Sequence, residues 1–288
     1  MMNISEIEVA EKSVLVRADL EYESNNSSRE RATVEIVRYL REKGAERIKI
    51  IGHKGNISMV EKLGVDVNFD LRSDKREEEN SVELAQELAQ GFDIYVNEAF
   101  ATSHRRHTSI VALPEFMKSQ GKIVCGGLRF GKEITTLSQI PNPKSQVPNL
   151  LIIGGAKGDK EKYAEDFEKK RWTVLRGGLL PNIKLRADGL DISDELIANY
   201  IRQLTDLKPQ TIIIAGPMGK YQEAPEGTRE VFTVVANSKA YKIAGGGDTE
   251  EALGEFGLLG KFDWISVGGG AMLEYLASGT LEGIEAIS

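Results

Sequence analysis

The chain is poor in cysteine, and its one thiol, Cys125, excludes an intrachain disulfide framework and fits a reducing cytosol. Cys125 closes the short run Lys122 to Cys125 and reads as a core thiol. Proline is also scarce: there are eight, and three of them, Pro141, Pro143 and Pro148, fall between Ile140 and Pro148. That stretch reads as an interdomain linker. Positive charge is in deficit, with 37 Lys and Arg against 44 Asp and Glu and a net charge of -7. This balance disfavours general binding to nucleic acid or to an anionic membrane, so an anionic ligand needs a local basic pocket. No apolar run approaches the roughly 20 residues of a membrane-spanning helix, and Met-Met-Asn-Ile-Ser-Glu-Ile-Glu at the start has no basic segment followed by an apolar core. A cytoplasmic location is the expectation. No glycine turn has the Gly-x-Gly-x-x-Gly spacing of a dinucleotide fold, which speaks against a nicotinamide enzyme.

What is present is the composition of a soluble globular protein, 288 residues at 41% hydrophobic and 28% charged, long enough for two domains. Ser13 to Asp19 alternates as a strand that places Arg17 and Asp19 on one side of its carboxyl end. A polar loop through Glu21 to Ser28 and Arg29 leads into a helix, Arg31 to Lys43, stopped by Gly44. Arg47 to Gly52 is the next strand, running into Gly52-His53-Lys54-Gly55 and completing a βαβ unit. Ser58 to Gly64 reads as a short helix and Val65 to Leu71 as extended. The acidic run Lys75 to Asn80 reads as a solvated approach to the helix Ser81 to Gln90. Asp93 to Val96 is a strand that opens into a loop where His104, Arg105, Arg106 and His107 gather two of the chain's three histidines. Those histidines lack Cys or carboxylate partners at finger-like spacing, which disfavours zinc there. Arg17, Asp19, Arg29, His53, Arg72, His104, Arg105 and His107 all fall at strand ends and loops. They either converge on one crevice of a parallel sheet or stand scattered over the surface.

After a helix from Leu128 to Leu137, the second half repeats one pattern five times, a short apolar strand running into glycine. The instances are Leu150 to Gly155, Thr173 to Gly178, Thr211 to Gly219, Tyr241 to Gly247 and Trp264 to Gly270. A single such turn is commonplace. Five predict a parallel sheet whose carboxyl edge is backbone that a ligand can approach. Leu150 to Gly155 is followed by Lys157 and Lys160, cations suited to a phosphorylated ligand. The glycines at 245 to 247 and 268 to 270 run into helical patterns, Glu250 to Phe256 and Met272 to Leu276, and helix N-termini bind phosphate through oriented N–H groups.

Taken in order, these segments resemble phosphoglycerate kinase. Val14-Leu15-Val16-Arg17-Ala18-Asp19 resembles that family's opening strand, Ser28 to Ala32 its Thr-Arg-Ile-Arg stretch, Gly52-His53-Lys54-Gly55 its Ser-His-Leu-Gly, and Leu71-Arg72 its Asn-Leu-Arg-Phe turn. Val96 to His107 follows Val-Asn-Asp-Ala-Phe-Gly-Thr-Ala-His-Arg-Ala-His. In the second half Gly154-Gly155-Ala156-Lys157, Gly189-Leu190-Asp191-Ile192, Gly216-Pro217-Met218-Gly219, Gly245 to Thr249 and Gly268 to Glu274 fall in family order. The resemblance implies an α/β protein of two Rossmann-like αβα domains with mainly parallel sheets, joined by a hinge. The expected division is a phosphoglycerate-binding domain at 1–140 and a reduced nucleotide-binding domain at 141–288, whose C-terminal tail can pack back on the first. The implied reaction is reversible phosphoryl transfer between 1,3-bisphosphoglycerate and MgADP, giving 3-phosphoglycerate and MgATP, by a monomer acting on small molecules. An anion-binding paralogue without catalysis is the alternative.

Carried over residue by residue, Asp19, Arg29, His53, Arg72 and Arg105 would hold the phosphoglycerate. Arg29, Lys157, Lys160, Gly247 and Gly270 would act on the group in flight. Gly155, Lys157, Lys160, Gly216, Pro217, Gly245, Gly246, Gly247, Asp248 and Thr249 would hold the nucleotide, with Asp248 the magnesium ligand. Phosphoryl transfer from an acyl phosphate needs alignment and charge stabilisation and no general base, which suits this cast. There are departures from the family pattern: Glu21 and Ala215 stand where the family has Asn, Asn56 where it has Arg, and Val267 where it has Thr. Lys220-Tyr221-Gln222 replaces Val-Phe-Glu. The lysine loop is one residue shorter, which predicts that Lys160 falls short of its usual position. A long segment is missing between Leu180 and Gly189.

Overall fold

The computed structural model describes residues 1–21, 27–55, 64–140, 148–155, 159–178 and 180–288. The chain divides into two compact units, residues 1–135 together with 278–288, and residues 136–277. In the first unit five strands, β1 (Ser13–Arg17), β2 (Arg47–Ile51), β3 (Asp66–Asn68), β4 (Ile94–Asn97) and β5 (Ile123–Gly126), form a parallel sheet in the order β3-β2-β1-β4-β5. The central strands are apolar along their length because both faces are covered: Val14, Leu15, Val16, Ile94, Tyr95 and Val96 are all fully buried. Helix α1 (Ser28–Glu42) starts at Ser27, whose Oγ accepts the Glu30 N–H at 3.2 Å, and it turns Ile36, Val37 and Leu40 inward at helical spacing. Helices α2 (Val82–Ala89), α3 (Ala112–Ser119) and α4 (Leu128–Ser138) complete the coverage. The strand order reverses between β1 and β4, and in an open parallel sheet the crevice for a ligand lies at that point, outside the carboxyl ends.

The second unit repeats the plan. β6 (Leu150–Ile153), β7 (Thr173–Arg176), β8 (Thr211–Ala215), β9 (Tyr241–Gly245) and β10 (Trp264–Ser266) form a parallel sheet in the order β10-β9-β8-β6-β7, which reverses between β6 and β8. Helices α5 (Asp159–Lys169), α6 (Asp194–Leu207), α7 (Glu226–Asn237), α8 (Gly247–Glu255) and α9 (Gly269–Ser278) pack on it. Leu150, Ile152, Ile212 and Ile214 meet Tyr200, Phe232, Val235 and Leu253 in a continuous core. Each such aliphatic side chain contributes about 2 kcal/mol of burial. A final short helix, α10 (Glu282–Ala286), lies on the first unit. There the Gly283 N–H donates to Ser103 O at 2.8 Å and Ala286 packs with Ala99, Ile110 and Val111, bracing the loop after β4.

Eight of the ten strands among the described residues fall where the sequence places one, each within a few residues; β5 forms on the run Lys122 to Cys125, which the sequence marks only as a short core run. The expected extended segment Val65 to Leu71 is strand only over Asp66–Asn68, and Leu71–Ser73 closes as a 3-10 turn. The two glycine-led helices begin earlier than their hydrophobic pattern, at Gly247 and Gly269, so the glycines are first-turn residues rather than a preceding loop. The expected helix Ser58 to Gly64 lies, but for Gly64, outside the described residues, as does most of the proline segment.

Candidate active site

At the switch point of the first sheet, the fully buried Arg17 guanidinium leaves the end of β1. Its Nε donates to Ser109 Oγ at 2.8 Å, its Nη2 donates to Thr102 Oγ1 at 3.3 Å, and its Nη1 stands 3.7 Å from Asp19 Oδ1. Asp19 in turn accepts from the Ala101 N–H and the Thr102 hydroxyl, both at 2.9 Å. One ionic cluster therefore pins the loop after β4 to the end of β1. Beside it Glu77, which the sequence placed in a solvated acidic run, is fully buried. Its carboxylate accepts the Ser109 N–H at 2.9 Å and the Ser109 hydroxyl at 2.6 Å. Burial alone would raise the Glu77 carboxyl; the nearby His53 ring, the Arg17 guanidinium and Ser109 outweigh it and hold the group below the usual carboxylate range.

His53 and His107 stack over this carboxylate with ring centroids 4.6 Å apart. Burial pushes His107 down to about 4, so its ring is neutral at pH 7. Arg72 follows at the start of the 3-10 turn, its N–H donating to His53 O at 2.8 Å, with its side chain exposed. Arg105 is exposed on the loop and close enough to His107 to help lower its basicity. Arg29, in the first turn of α1, donates through Nη1 to Glu21 O at 2.7 Å, and the Glu21 carboxylate lies 3.7 Å from Lys54 Nζ. The negative charge that Glu21 introduces thus has a lysine facing it.

At the switch point of the second sheet the construction is different. Lys160, on α5, points its Nζ at the carbonyls of Gly154 and Ala215, the latter at 3.0 Å, which are the ends of β6 and β8. The turns around it approach so closely that side chains are excluded. Gly155 and Gly216 sit at φ +104° and +111°, and a Cβ on Gly216 would run into Gly154 O and Lys160 Nζ. The Gly216 N–H donates to the Thr249 hydroxyl at 2.8 Å, tying the β8 turn to the start of α8. Gly246, at φ +101°, caps α8, and Gly247 and Asp248 are exposed in its first turn. Helix geometry leaves first-turn N–H groups without an intrahelical acceptor, so the starts of α8 and α9 at Gly247 and Gly269 offer donors to an anion. At the neighbouring strand end, Gly178 donates its N–H to Met218 O and lies against the backbone of Gly155.

The family model for phosphoglycerate kinase matches residues 65–210 and 186–279 of this chain. The chain belongs to the phosphoglycerate kinase family. The phosphoglycerate kinase of Bdellovibrio bacteriovorus is 32% identical over 281 positions, covering 75% of this chain and 68% of that one. That of Desulforapulum autotrophicum is 28% identical over 397 positions, covering all of both. Because that alignment has 397 positions and this chain 288 residues, the relative carries segments that are missing here. Among solved structures, phosphoglycerate kinase from Pyrococcus horikoshii superposes with a TM-score of 0.82 at 22% identity, over 100% of this chain and 98% of that one. The Coxiella burnetii enzyme gives 0.75 at 22% identity, over 99% and 98%. At that identity the likeness shows the two-domain α/β fold with two five-stranded parallel sheets.

Within a phosphoglycerate-kinase framework, the residues expected to hold the acid substrate all occupy one sheet edge of the first unit. Arg72 is tied to His53 by a backbone hydrogen bond and Arg29 to Glu21, while both Asp19 oxygens already serve the loop after β4. Of the nucleotide set, Gly155, Lys160, Gly216, Pro217, Gly245, Gly246, Gly247, Asp248 and Thr249 occupy one edge of the second unit. Gly270 lies in the first turn of α9, and Lys157 lies outside the described residues. Thr249 is buried and committed to Gly216. Lys160 reaches the ends of both β6 and β8. Glu77 and Ser109 are the functional neighbours that sequence reasoning missed, since nothing in an acidic run distinguishes the one carboxylate that folds inward. No helix among the described residues is long and apolar enough to cross a membrane.

Proposed function

We propose that this chain is a phosphoglycerate kinase with a reduced nucleotide unit, moving a phosphoryl group reversibly between 1,3-bisphosphoglycerate and MgADP as in glycolysis. The observation that carries this reading is the pair of topological switch points. One presents cations for a phosphorylated acid, and the other a lysine among bare glycine turns and helix starts for a nucleotide's phosphates. In this reading Arg29 and Arg105 bind and orient the phosphoglycerate anion and His53 lines its site. Lys160 and the first-turn amides of α8 and α9 hold the phosphates. Asp248 offers an exposed, hard oxygen donor of the type that suits magnesium, whose charge neutralises the phosphates when bound. Catalysis then consists of alignment and charge stabilisation, with no proton transfer asked of any side chain.

A second reading, an anion-binding paralogue without turnover, is favoured by the close packing of Gly178 on Gly155 and Met218 beside the site of the missing segment, and by Ala215 in place of Asn. A coupled assay of ATP formation separates the two. The kinase reading expects ATP from 1,3-bisphosphoglycerate and MgADP, with Arg29→Ala lowering the rate by roughly 10³-fold or more, the scale for an arginine that stabilises phosphoryl transfer. A folded protein that binds 3-phosphoglycerate but forms no ATP would establish the paralogue instead.

A further inference from the structure

The histidine and glutamate cluster of the first unit contains more than an anion site requires. Glu77 Oε1 lies 3.7 Å from His53 Nδ1 and 3.9 Å from His107 Nδ1, both beyond hydrogen-bond reach. Both Nδ1 atoms are buried and neither has a hydrogen-bond partner. A buried ring nitrogen without a partner is costly unless something else fills the need. His107 is 92% buried, being 8% exposed, and aims its orphan nitrogen at the same carboxylate oxygen as His53. One ligand atom from each of the three residues can be chosen so that all lie within 4.8 Å of one another.

We propose that His53, Glu77 and His107 form a binding site for a divalent transition-metal ion of the zinc class, held through the two Nδ1 atoms and Glu77 Oε1. Two imidazoles and one carboxylate are a donor set for zinc, cobalt or iron rather than for magnesium, which prefers oxygen. Around a tetrahedral ion with bonds of about 2.0–2.1 Å, ligand atoms stand roughly 3.4 Å apart, so the observed 3.7 and 3.9 Å close with shifts of a few tenths of an ångström. Glu77 is also held in place, as a metal-bound carboxylate usually is: the Ser109 N–H donates to Oε2, and the Ser109 hydroxyl donates to Oε1, which keeps a further lone pair for the ion. The Arg17 guanidinium, which shares Ser109 Oγ with this carboxylate, carries the same sign of charge as the ion, and Asp19 faces it at 3.7 Å. Three protein ligands leave a fourth position open.

This site shares no residue with Asp248, so the two metal chemistries are separable. The test is titration of the full chain with cobalt(II), read by its visible d–d absorption, followed by displacement with zinc. One equivalent of cobalt should give bands of a low-coordinate site, zinc should abolish them and raise the melting temperature, and a large excess of magnesium should leave them unchanged. His107→Ala should weaken cobalt binding by about a hundredfold or more, and Asp248→Asn should have no effect on it. His53→Gln, at a more exposed position, repeats the test should His107→Ala not fold. Absence of bands in the folded protein, bands that persist in both histidine variants, or bands lost to magnesium would each overturn the proposal.

Discussion

The two sheet edges share a topology and differ in almost everything else. Each lies where the strand order reverses, β1 against β4 in one unit and β6 against β8 in the other. The first is built from side chains: Arg17, Asp19 and Glu77 are locked to Thr102 and Ser109, and His53 and His107 stack beside them. The second is built from backbone, with glycines at φ +104°, +111° and +101° and Lys160 reaching the carbonyls at the strand ends. A charged side-chain edge holds its shape through ionic networks and reads a ligand by the placement of its cations. A glycine edge reads a ligand by letting it touch the main chain and tolerates no added carbon where turns meet. The same fold thus gives two sites with opposite sensitivities, and mutation should expose the contrast.

The largest expected effect is on the side-chain edge. Arg17→Met removes a buried cation and leaves Asp19 and Ser109 with unmet partners, so the first unit should lose about 3–5 kcal/mol in urea unfolding. Trp172 and Trp264, the only two tryptophans, both lie in the second unit, so that loss needs a probe such as hydrogen exchange at β1 while tryptophan fluorescence reports the other half. Gly216→Ala strikes the backbone edge, combining an unfavourable φ with contact against Gly154 O and Lys160, and should cost the second unit about 2–4 kcal/mol.

Titration should distinguish the edges as well. Glu98, at the end of β4, accepts the Arg129 and Phe130 N–H groups at 2.9 and 3.1 Å, yet burial pushes its carboxyl up to about 8 from 4.5. The native state therefore keeps a proton that the unfolded chain releases. That contribution is complete below about pH 4.5 and is lost as pH rises to about 8, on the order of 2–4 kcal/mol. Glu98→Gln should remove this slope from the first unit's unfolding curve. The smallest effect is the most specific to the glycine edge: a Cβ on Gly247 meets nothing within 4 Å. Gly247→Ala should leave stability unchanged or raise it by about 0.5–1 kcal/mol, while weakening nucleotide binding measurably.

Much of this architecture is legible in the sequence because parallel strands covered on both faces read as short apolar runs, and because glycine turns and strand-end cations mark where the edges fall. Arg17, Asp19 and His53 could be placed in this way, as could the turns at Gly154, Gly216 and Gly246. Glu77 could not, since its burial depends on Ser109 and the histidines arriving from other parts of the chain. Where Lys160 lands could not be read from the sequence for a related reason: loop length counts residues, whereas a lysine's long stem and the position of α5 decide where the ammonium lands. Gly178 packing on Gly155 is a contact between two glycine turns, and no residue type in either turn announces it.

The central claim is that the reduced second unit still receives a nucleotide at the β6/β8 switch point, with Lys160 and the glycine turns holding its phosphates. Titration calorimetry of ADP into the full chain, with and without magnesium, tests it most directly. The account predicts saturable binding that strengthens with magnesium and falls at least tenfold in Lys160→Ala, while 3-phosphoglycerate binding to the same variant is unchanged. Undetectable ADP binding by the folded wild-type chain, or equal binding by Lys160→Ala, would contradict it.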